Sequence, residues 1–139
     1  MSRFTIRLSD RGRCRVRHEL ADAEIVTDRP PEYGGEGRSF SSTDLVAAAL
    51  GTCTLTTIDG LLARAGHDPA RLRIDVGKTL SREPRRIASI KLEIFYPETL
   101  SDELLTKLAR AAGACPVKRS LSEQVAVDVI FRVGEETDG

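Results

Sequence analysis

Three cysteines, Cys14, Cys53 and Cys115, are the side chains of this sequence best suited to chemistry. Their odd number and the lack of a CxxC pair argue against a secreted disulfide framework and against a zinc knuckle. A thiol can instead reduce a peroxide. That reaction takes a thiolate, a positive group that holds the thiolate, and a second thiol that resolves the sulfenic acid. The elements of the fold would have to bring these groups together.

Two of the cysteines occupy positions with different expected reactivity. Cys115 directly precedes Pro116, at the predicted N-cap of a short helix, where backbone N–H groups and the helix dipole favour a thiolate. Lys118 and Arg119 add positive charge nearby. Cys53 lies in the middle of a long helix, where the ordinary role of a free cysteine is that of a small buried hydrophobe. Cys115 could equally be an inert loop cysteine, and sequence alone cannot place the two thiols together.

The N-terminal third of the chain is predicted to form strands and a loop. Residues 3–8 and 13–18 alternate apolar with polar residues around the turn signal Asp10–Gly12, which is typical of an antiparallel hairpin with one solvated face. Cys14 falls on the apolar side and is expected in the core. A third strand is predicted over Ala23–Thr27. The Pro- and Gly-rich stretch Asp28–Gly37 is then a long loop of the kind that often lines a site or an interface.

A long helix follows this loop. Residues 41–43 are N-cap candidates, Asp44 is an acid in the first turn, and Gly66 and Pro69 predict the end of the helix after Ala65. Leu45–Leu50 are apolar on all sides, which is typical of a helix buried all round. One chain of 139 residues covers such a helix poorly, so we infer a homodimer.

The second half of the chain alternates strands and helices. A hairpin is predicted around Glu83-Pro84-Arg85, with Ile90, Leu92, Ile94 and Tyr96 on the inner face of its second strand. Ser101 is expected to cap a helix that Gly113 ends, Cys115-Pro116 opens a short helical turn, and residues 125–133 alternate as a last strand before a polar tail, Glu135–Gly139. The order βββ-α-ββ-α(α)-β, with strands in antiparallel hairpins, indicates an α+β fold with antiparallel sheets around a buried central helix.

Length and charge limit the classes of partner. The 139 residues predict a single domain over 1–139, and 21 basic against 21 acidic residues give a formal net charge of zero. That balance argues against nucleic acid or an anionic membrane as the main partner. The N-terminus has no apolar signal region and the longest uncharged stretch, Leu45–Ile58, is short for a membrane span, so a cytoplasmic protein is expected. The two histidines lack metal-ligand spacing, and no metal or cofactor is expected.

Several stretches resemble the signature of the OsmC/Ohr family. They are Tyr33-Gly34-Gly35, then Ser41 to Cys53 with its run Asp44–Cys53, and the later Ala114-Cys115-Pro116-Val117. The order of elements matches as well, so the resemblance extends over nearly the whole chain. It implies an intertwined α+β homodimer with two active sites at the subunit interface.

The same resemblance implies a function and residue roles. Members reduce organic hydroperoxides, and some reduce hydrogen peroxide, which places the chain in oxidative-stress defence. By resemblance Cys53 is the peroxidatic thiol and Cys115 the resolving thiol, an external dithiol is the reductant, and the substrate is a small peroxide.

The sequence also departs from the family pattern. The hydroperoxidase branch carries a Glu ten residues before its reactive Cys, where this chain has Thr43, so that Asp44 is the neighbouring carboxylate. The branch also uses an Arg near the first hairpin, for which Arg11 and Arg13 are candidates with Arg15 and Arg17. Four arginines on a strand are usually a solvated face. A non-enzymatic dimeric binding or scaffold protein, or another thiol chemistry on a small electrophile, are therefore alternatives.

Overall fold

The structure is a computed structural model that describes residues 1–134 of the chain, so the polar tail expected at Glu135–Gly139 lies outside the described residues. The chain divides into two compact units, Met1–Val46 and a second that begins at Ala47. The expected single domain over the whole chain stays a prediction, and the two units are described in turn.

The first unit contains a three-stranded antiparallel sheet. Strands β1 (Phe4–Leu8), β2 (Cys14–His18) and β3 (Ala23–Thr27) pair in the order β1-β2-β3. Phe4 pairs with His18, and Val16 with Ile25. The turn between β1 and β2 holds Arg11 at φ 55° and Gly12 at φ 76°, the left-handed conformation in which glycine is favoured. The predicted hairpin and third strand are confirmed.

The apolar face of this sheet is less buried than the alternation predicts. Phe4, Ile6 and Leu8 are more than half exposed, and Cys14 is half-buried and belongs to neither of the two core clusters described below. The expectation that Cys14 is a core residue is therefore wrong for the single chain. A unit of 46 residues is too short to cover both faces of a sheet. The alternation of apolar and polar residues therefore predicts which side chains share a face, but it does not predict that this face is buried.

The remaining elements are three helices and three strands. Helix α1 spans Ser42–Arg64, β4 Arg73–Arg82, β5 Arg85–Tyr96, α2 Asp102–Ala112, α3 Pro116–Ser120 and β6 Ala126–Val133. The second sheet has the order β4-β5-β6. Ser101 caps α2 by accepting the N–H of Leu104 at 3.1 Å, and Gly113 is the C-cap. The predicted element order and the α+β class are confirmed.

The pairing of the last strand differs from the expected antiparallel arrangement. Strands β4 and β5 form the predicted antiparallel hairpin, but β6 pairs in parallel with β5, Leu92 opposite Val129. The reason is the connection between the two strands. Helices α2 and α3 lie between β5 and β6 and return the chain to the end of the sheet at which β5 begins, so that β6 can run parallel to β5. The second sheet is therefore mixed.

The core of the second unit consists of two clusters. The large core cluster joins α1, β5 and α2 through eight buried residues: Ile58, Leu62, Ile94, Tyr96, Leu100, Leu104, Leu108 and Ala112. The smaller one, called here the thiol cluster, has five: Ala47, Leu50, Ile90, Leu92 and Cys115. Both take their α1 residues from one face of that helix, spaced three or four apart. Because α1 buries one face within the chain and its other apolar residues stay partly exposed, the homodimer stays a prediction.

Candidate active site

Helix α1 begins with a reciprocal pair of hydrogen bonds. The backbone N–H of Asp44 donates to Ser41 Oγ at 3.1 Å, and the N–H of Ser41 donates to Asp44 Oδ2 at 2.9 Å. This is a capping box, which satisfies two backbone donors that the helix itself leaves without a partner. The candidate site residue Asp44 therefore has a clear role in starting the helix that carries Cys53.

Cys53 lies in the middle of α1, in its fourth turn, and is partly buried. Two residues before it, Gly51 faces β4 so closely that a methyl group there would lie 3.0 Å from Val76 Cγ2. A larger residue at position 51 would push α1 off the sheet. One turn after Cys53, the Thr57 hydroxyl donates a hydrogen bond to the Cys53 carbonyl at 2.7 Å. This bond gives the threonine hydroxyl a partner within the helix. Cys53 thus lies on a helix that packs closely on β4, and its side chain is partly exposed.

Cys115 is the N-cap of α3, as predicted, and is fully buried. Its Sγ accepts the backbone N–H of Lys118 at 3.3 Å. Pro116 occupies the first helical position, where its missing N–H is not needed. The cap fixes the direction in which the Cys115 thiol points, so the thiol is held in place by its own helix.

The structure brings Cys53 and Cys115 to the same apolar region. Cys115 is a member of the thiol cluster, and Cys53 packs against that cluster from α1 together with Val117 of α3. Both are free thiols. Cys53 is the more accessible of the two, because Cys115 has no exposed surface. An accessible thiol and a buried one at the same cluster are what attack on a small molecule followed by resolution would use.

In the first unit, the candidates Arg11 and Arg13 bind a carboxylate that the sequence analysis did not single out. Arg13 Nη2 lies 2.6 Å from Glu36 Oε2, Arg11 forms a further ion pair with the same carboxylate, and Arg38 Nε lies 2.7 Å from it. The hydrogen bond from Arg11 and the charges of Arg38 and Arg13 hold the pKa of Glu36 below its usual range, against an opposing effect of desolvation. Whether either arginine serves the thiolate stays a prediction.

Asp28 is a second carboxylate that contacts Arg13 and Arg38. Its side chain is almost fully buried, its Oδ2 accepts the N–H of Arg38 at 3.1 Å, and Arg13 Nε lies 3.6 Å from that oxygen. The Arg38 N–H is the main reason why the pKa of Asp28 is below its usual range, with Arg13 contributing, although burial acts in the opposite direction. Its other oxygen, Oδ1, has no hydrogen-bond partner among residues 1–134. Asp28 therefore stays ionised at neutral pH and holds the ends of the Gly-rich loop together.

The backbone of this loop closes on itself. Asp28 N–H donates to the Phe40 carbonyl at 3.0 Å and Gly37 N–H to the Arg29 carbonyl at 3.0 Å. Gly35 is required here, because a methyl group at that position would lie 2.0 Å from the Arg29 carbonyl oxygen. The Pro and Gly residues that predicted a loop thus form an ordered one, which presents Glu36 to the arginines.

We expect acid to weaken the first unit through Glu36. A carboxylate with a lowered folded-state pKa stabilises the fold above its ordinary pKa, and that stabilisation is lost as the pH falls below about 4. Thermal unfolding measured from pH 7 to pH 3 should therefore show a smaller loss of stability for Glu36→Gln than for the wild type. Glu32→Gln is the matched control, since Glu32 lies in the same loop and forms no ion pair with any described residue. An equal pH response of all three proteins would contradict the role of Glu36.

Sequence reasoning missed Glu36, Asp28 and Arg38. The available signal was an acid between glycines, in a loop that follows the arginine-rich stretch Arg11–Arg17, which charge complementarity could have linked. Position 43, where the resemblance leads one to expect Glu, holds Thr, and the carboxylates that bind the hairpin arginines come instead from the loop. Within residues 1–134, no group of three or more His, Cys, Asp or Glu side chains could hold a metal ion.

Comparison with solved structures finds the same fold elsewhere. A protein from Psychrobacter arcticus with a proposed role as an osmotic stress induced and detoxification response protein has a TM-score of 0.90 and 29% identity, over 95% of this chain and 96% of that one. An organic hydroperoxide resistance protein from Legionella pneumophila gives 0.77 at 18% identity, over 96% and 97% of the two chains. The protein OhrB of Bacillus subtilis, also an organic hydroperoxide resistance protein, gives 0.66 at 15%, over 95% and 98%. A search of the curated proteins found no match.

Family assignment rests on the sequence as well as on the fold. The model of the OsmC-like protein family matches residues 35–130, which include both Cys53 and Cys115. Helix α1 is long and apolar enough to cross a membrane by length and composition, a test that the buried core helix of a soluble protein also passes. With the matched region, the element order and the structural neighbours in agreement, the chain belongs to the OsmC-like protein family.

Proposed function

We propose that this protein is a cysteine-based peroxidase that reduces organic hydroperoxides, with Cys53 as the attacking thiol and Cys115 as the resolving thiol. The observation that carries the proposal is that the two thiols pack at one apolar cluster, the accessible one on α1 and the buried one at the cap of α3. The family and the organic hydroperoxide resistance proteins among its structural neighbours support the substrate class.

The reaction needs two steps within the chain. The Cys53 thiolate attacks the O–O bond, sulfur takes one oxygen as sulfenic acid, and the alkoxide leaves as an alcohol after it gains a proton. The Cys115 thiol then attacks that sulfur, water leaves, and a Cys53–Cys115 disulfide forms. An external dithiol reduces the disulfide, and no cofactor is used. The apolar thiol cluster against which Cys53 packs suits an alkyl hydroperoxide better than a charged substrate.

We also propose an oligomeric state and a cellular location for this activity. The homodimer predicted from the apolar helix α1 is also what the resemblance to the OsmC/Ohr family implies. We propose that the protein works as such a dimer in the cytoplasm, where small-molecule thiols and dithiol proteins keep cysteines reduced. Nucleic acid and membranes are not proposed as partners.

Thiol counting tests the proposal directly. Reduced protein mixed with a small excess of cumene hydroperoxide should fall from three free thiols per chain to one, because Cys14 takes no part. A dithiol added afterwards should restore all three. If the count stays at three after excess peroxide, the two-cysteine mechanism fails.

One observation keeps a second function open. The Glu that the hydroperoxidase branch carries before its reactive Cys is Thr43 in this chain, which favours a non-enzymatic dimeric binding or scaffold protein. The dependence of the alkylation rate of Cys53 on pH separates the two functions. A peroxidase needs appreciable thiolate at neutral pH, whereas alkylation only above about pH 8 would identify an ordinary free thiol and support the second function.

A further inference from the structure

Cys115 has a structural task in the reduced protein besides its proposed redox task. Its Sγ is the side-chain acceptor at the start of α3, bonded to the Lys118 N–H at 3.3 Å. Helix α3 has five residues, Pro116–Ser120, and so short a helix has little stability of its own. The cap and the packing of Val117 and Leu121 on the thiol cluster add to the helix's own hydrogen bonds.

We propose that oxidation of Cys115 uncaps α3 and opens its first turn, so that the segment 115–121 changes with the redox state of the protein. The proposal rests on the function proposed above, because it requires the Cys53–Cys115 disulfide. It adds a consequence for the last step of the cycle, the reduction of that disulfide.

The covalent step supplies the reason for the opening. A hydroperoxide oxidises Cys53 by two electrons to the sulfenic acid, and the Cys115 thiol displaces hydroxide from that sulfur, with its proton leaving in the water formed. In the reduced protein the Cys115 sulfur points back at the Lys118 N–H. A covalent bond to Cys53 Sγ would fix the position of the Cys115 sulfur by Cys53 instead of by the cap. The Lys118 N–H then loses its partner, and a backbone donor without a partner destabilises the turn that contains it.

Opening of this turn would make the disulfide accessible. A dithiol reduces a disulfide by direct attack on one of its sulfurs, so the attacked sulfur must be reachable. Cys115 has no exposed surface in the reduced protein, and Val117 beside it is partly buried. When the first turn of α3 opens, Val117 leaves the thiol cluster and the Cys115 sulfur becomes open to attack. The reduced thiol would then be shielded again once the cap re-forms.

Amide hydrogen exchange of Lys118 measures the cap directly. We compare reduced protein with protein oxidised by cumene hydroperoxide, and expect the Lys118 amide to exchange about fivefold faster after oxidation, the change that loss of a typical N-cap produces. The Leu104 amide is the internal control, because it is bonded to the α2 cap Ser101 Oγ at 3.1 Å in the same way and should not change.

Two variants at position 115 separate the cap from general loosening. Reduced Cys115→Ala lacks the acceptor, and its Lys118 amide should exchange as fast as that of the oxidised wild type. Cys115→Ser keeps a good capping side chain but cannot form the disulfide, so its Lys118 amide should stay protected before and after peroxide.

The outcomes distinguish this inference from the proposed function. If thiol counting shows that the disulfide forms while Lys118 exchange is unchanged, or if Lys118 and Leu104 accelerate together, the uncapping of α3 is wrong and the peroxidase proposal stands. If three thiols remain after peroxide, the peroxidase proposal fails and the inference falls with it.

Discussion

Cys53→Ser is expected to reduce the rate of hydroperoxide consumption to below about a thousandth of the wild-type rate, because the attacking nucleophile is removed. A serine hydroxyl is not ionised near neutral pH, and no other accessible thiol packs at the thiol cluster within the described residues. The fold should be unchanged, since Cys53 is partly exposed and serine is similar in size. The measurement is the disappearance of cumene hydroperoxide with dithiothreitol as reductant.

Cys14→Ser is the matched control for this experiment. Cys14 is also half-buried, but it lies on β2 in the first unit and its pairing partners are Leu8 and Thr27. Its replacement should leave peroxide consumption near the wild-type rate. Comparable loss of activity in both variants, or full activity of Cys53→Ser, would show that Cys53 is not the peroxidatic residue.

Leu62→Ala is expected to lower the free energy of unfolding by about 2–5 kcal/mol. Leu62 has no exposed surface and lies in the large core cluster, among Ile58, Ile94 and Leu108. Its truncation removes buried methyl groups and leaves a cavity between α1, β5 and α2 that these elements cannot fill without moving. Denaturant unfolding followed by circular dichroism gives the change from the shift in midpoint at constant slope.

Leu20→Ala makes the same chemical change at an exposed position. Leu20 is 86% exposed, between β2 and β3, so its replacement should alter the free energy of unfolding by less than about 0.5 kcal/mol. A loss for Leu62→Ala no larger than that of Leu20→Ala would mean that the large core cluster does not hold the second unit together.

Most of the elements could be predicted because their signals are local. The capping residues Ser101 and Cys115, the hairpin turn at Glu83-Pro84-Arg85, and the alternation of β5 each depend on neighbours a few positions away. Backbone geometry ties such short spacings to one conformation. The same locality explains Asp44, whose bonds to Ser41 extend over three positions.

What could not be predicted depends on distant parts of the chain. The parallel pairing of β6 with β5 is set by the return of the chain through α2 and α3. The alternation of apolar and polar residues is the same in parallel and antiparallel strands, so it cannot distinguish the two pairings. The exposure of Phe4 and the half-burial of Cys14 depend on what covers a sheet face, which periodicity does not contain. Glu36 gains its role because the loop folds back upon Arg11 and Arg13, more than twenty residues away in sequence.

For the candidate site, the sequence by itself determined which residues are thiols, that Cys53 lies within a helix, and that Cys115 begins one. The tertiary structure alone decided that the two thiols pack at one apolar cluster, with one accessible and the other buried. The physical reason is that helix spacing and capping act over a few residues, whereas β5 and the packing of α1 and α3 on it bring positions 53 and 115 to the same place. A pair of cysteines becomes a candidate redox site through that packing.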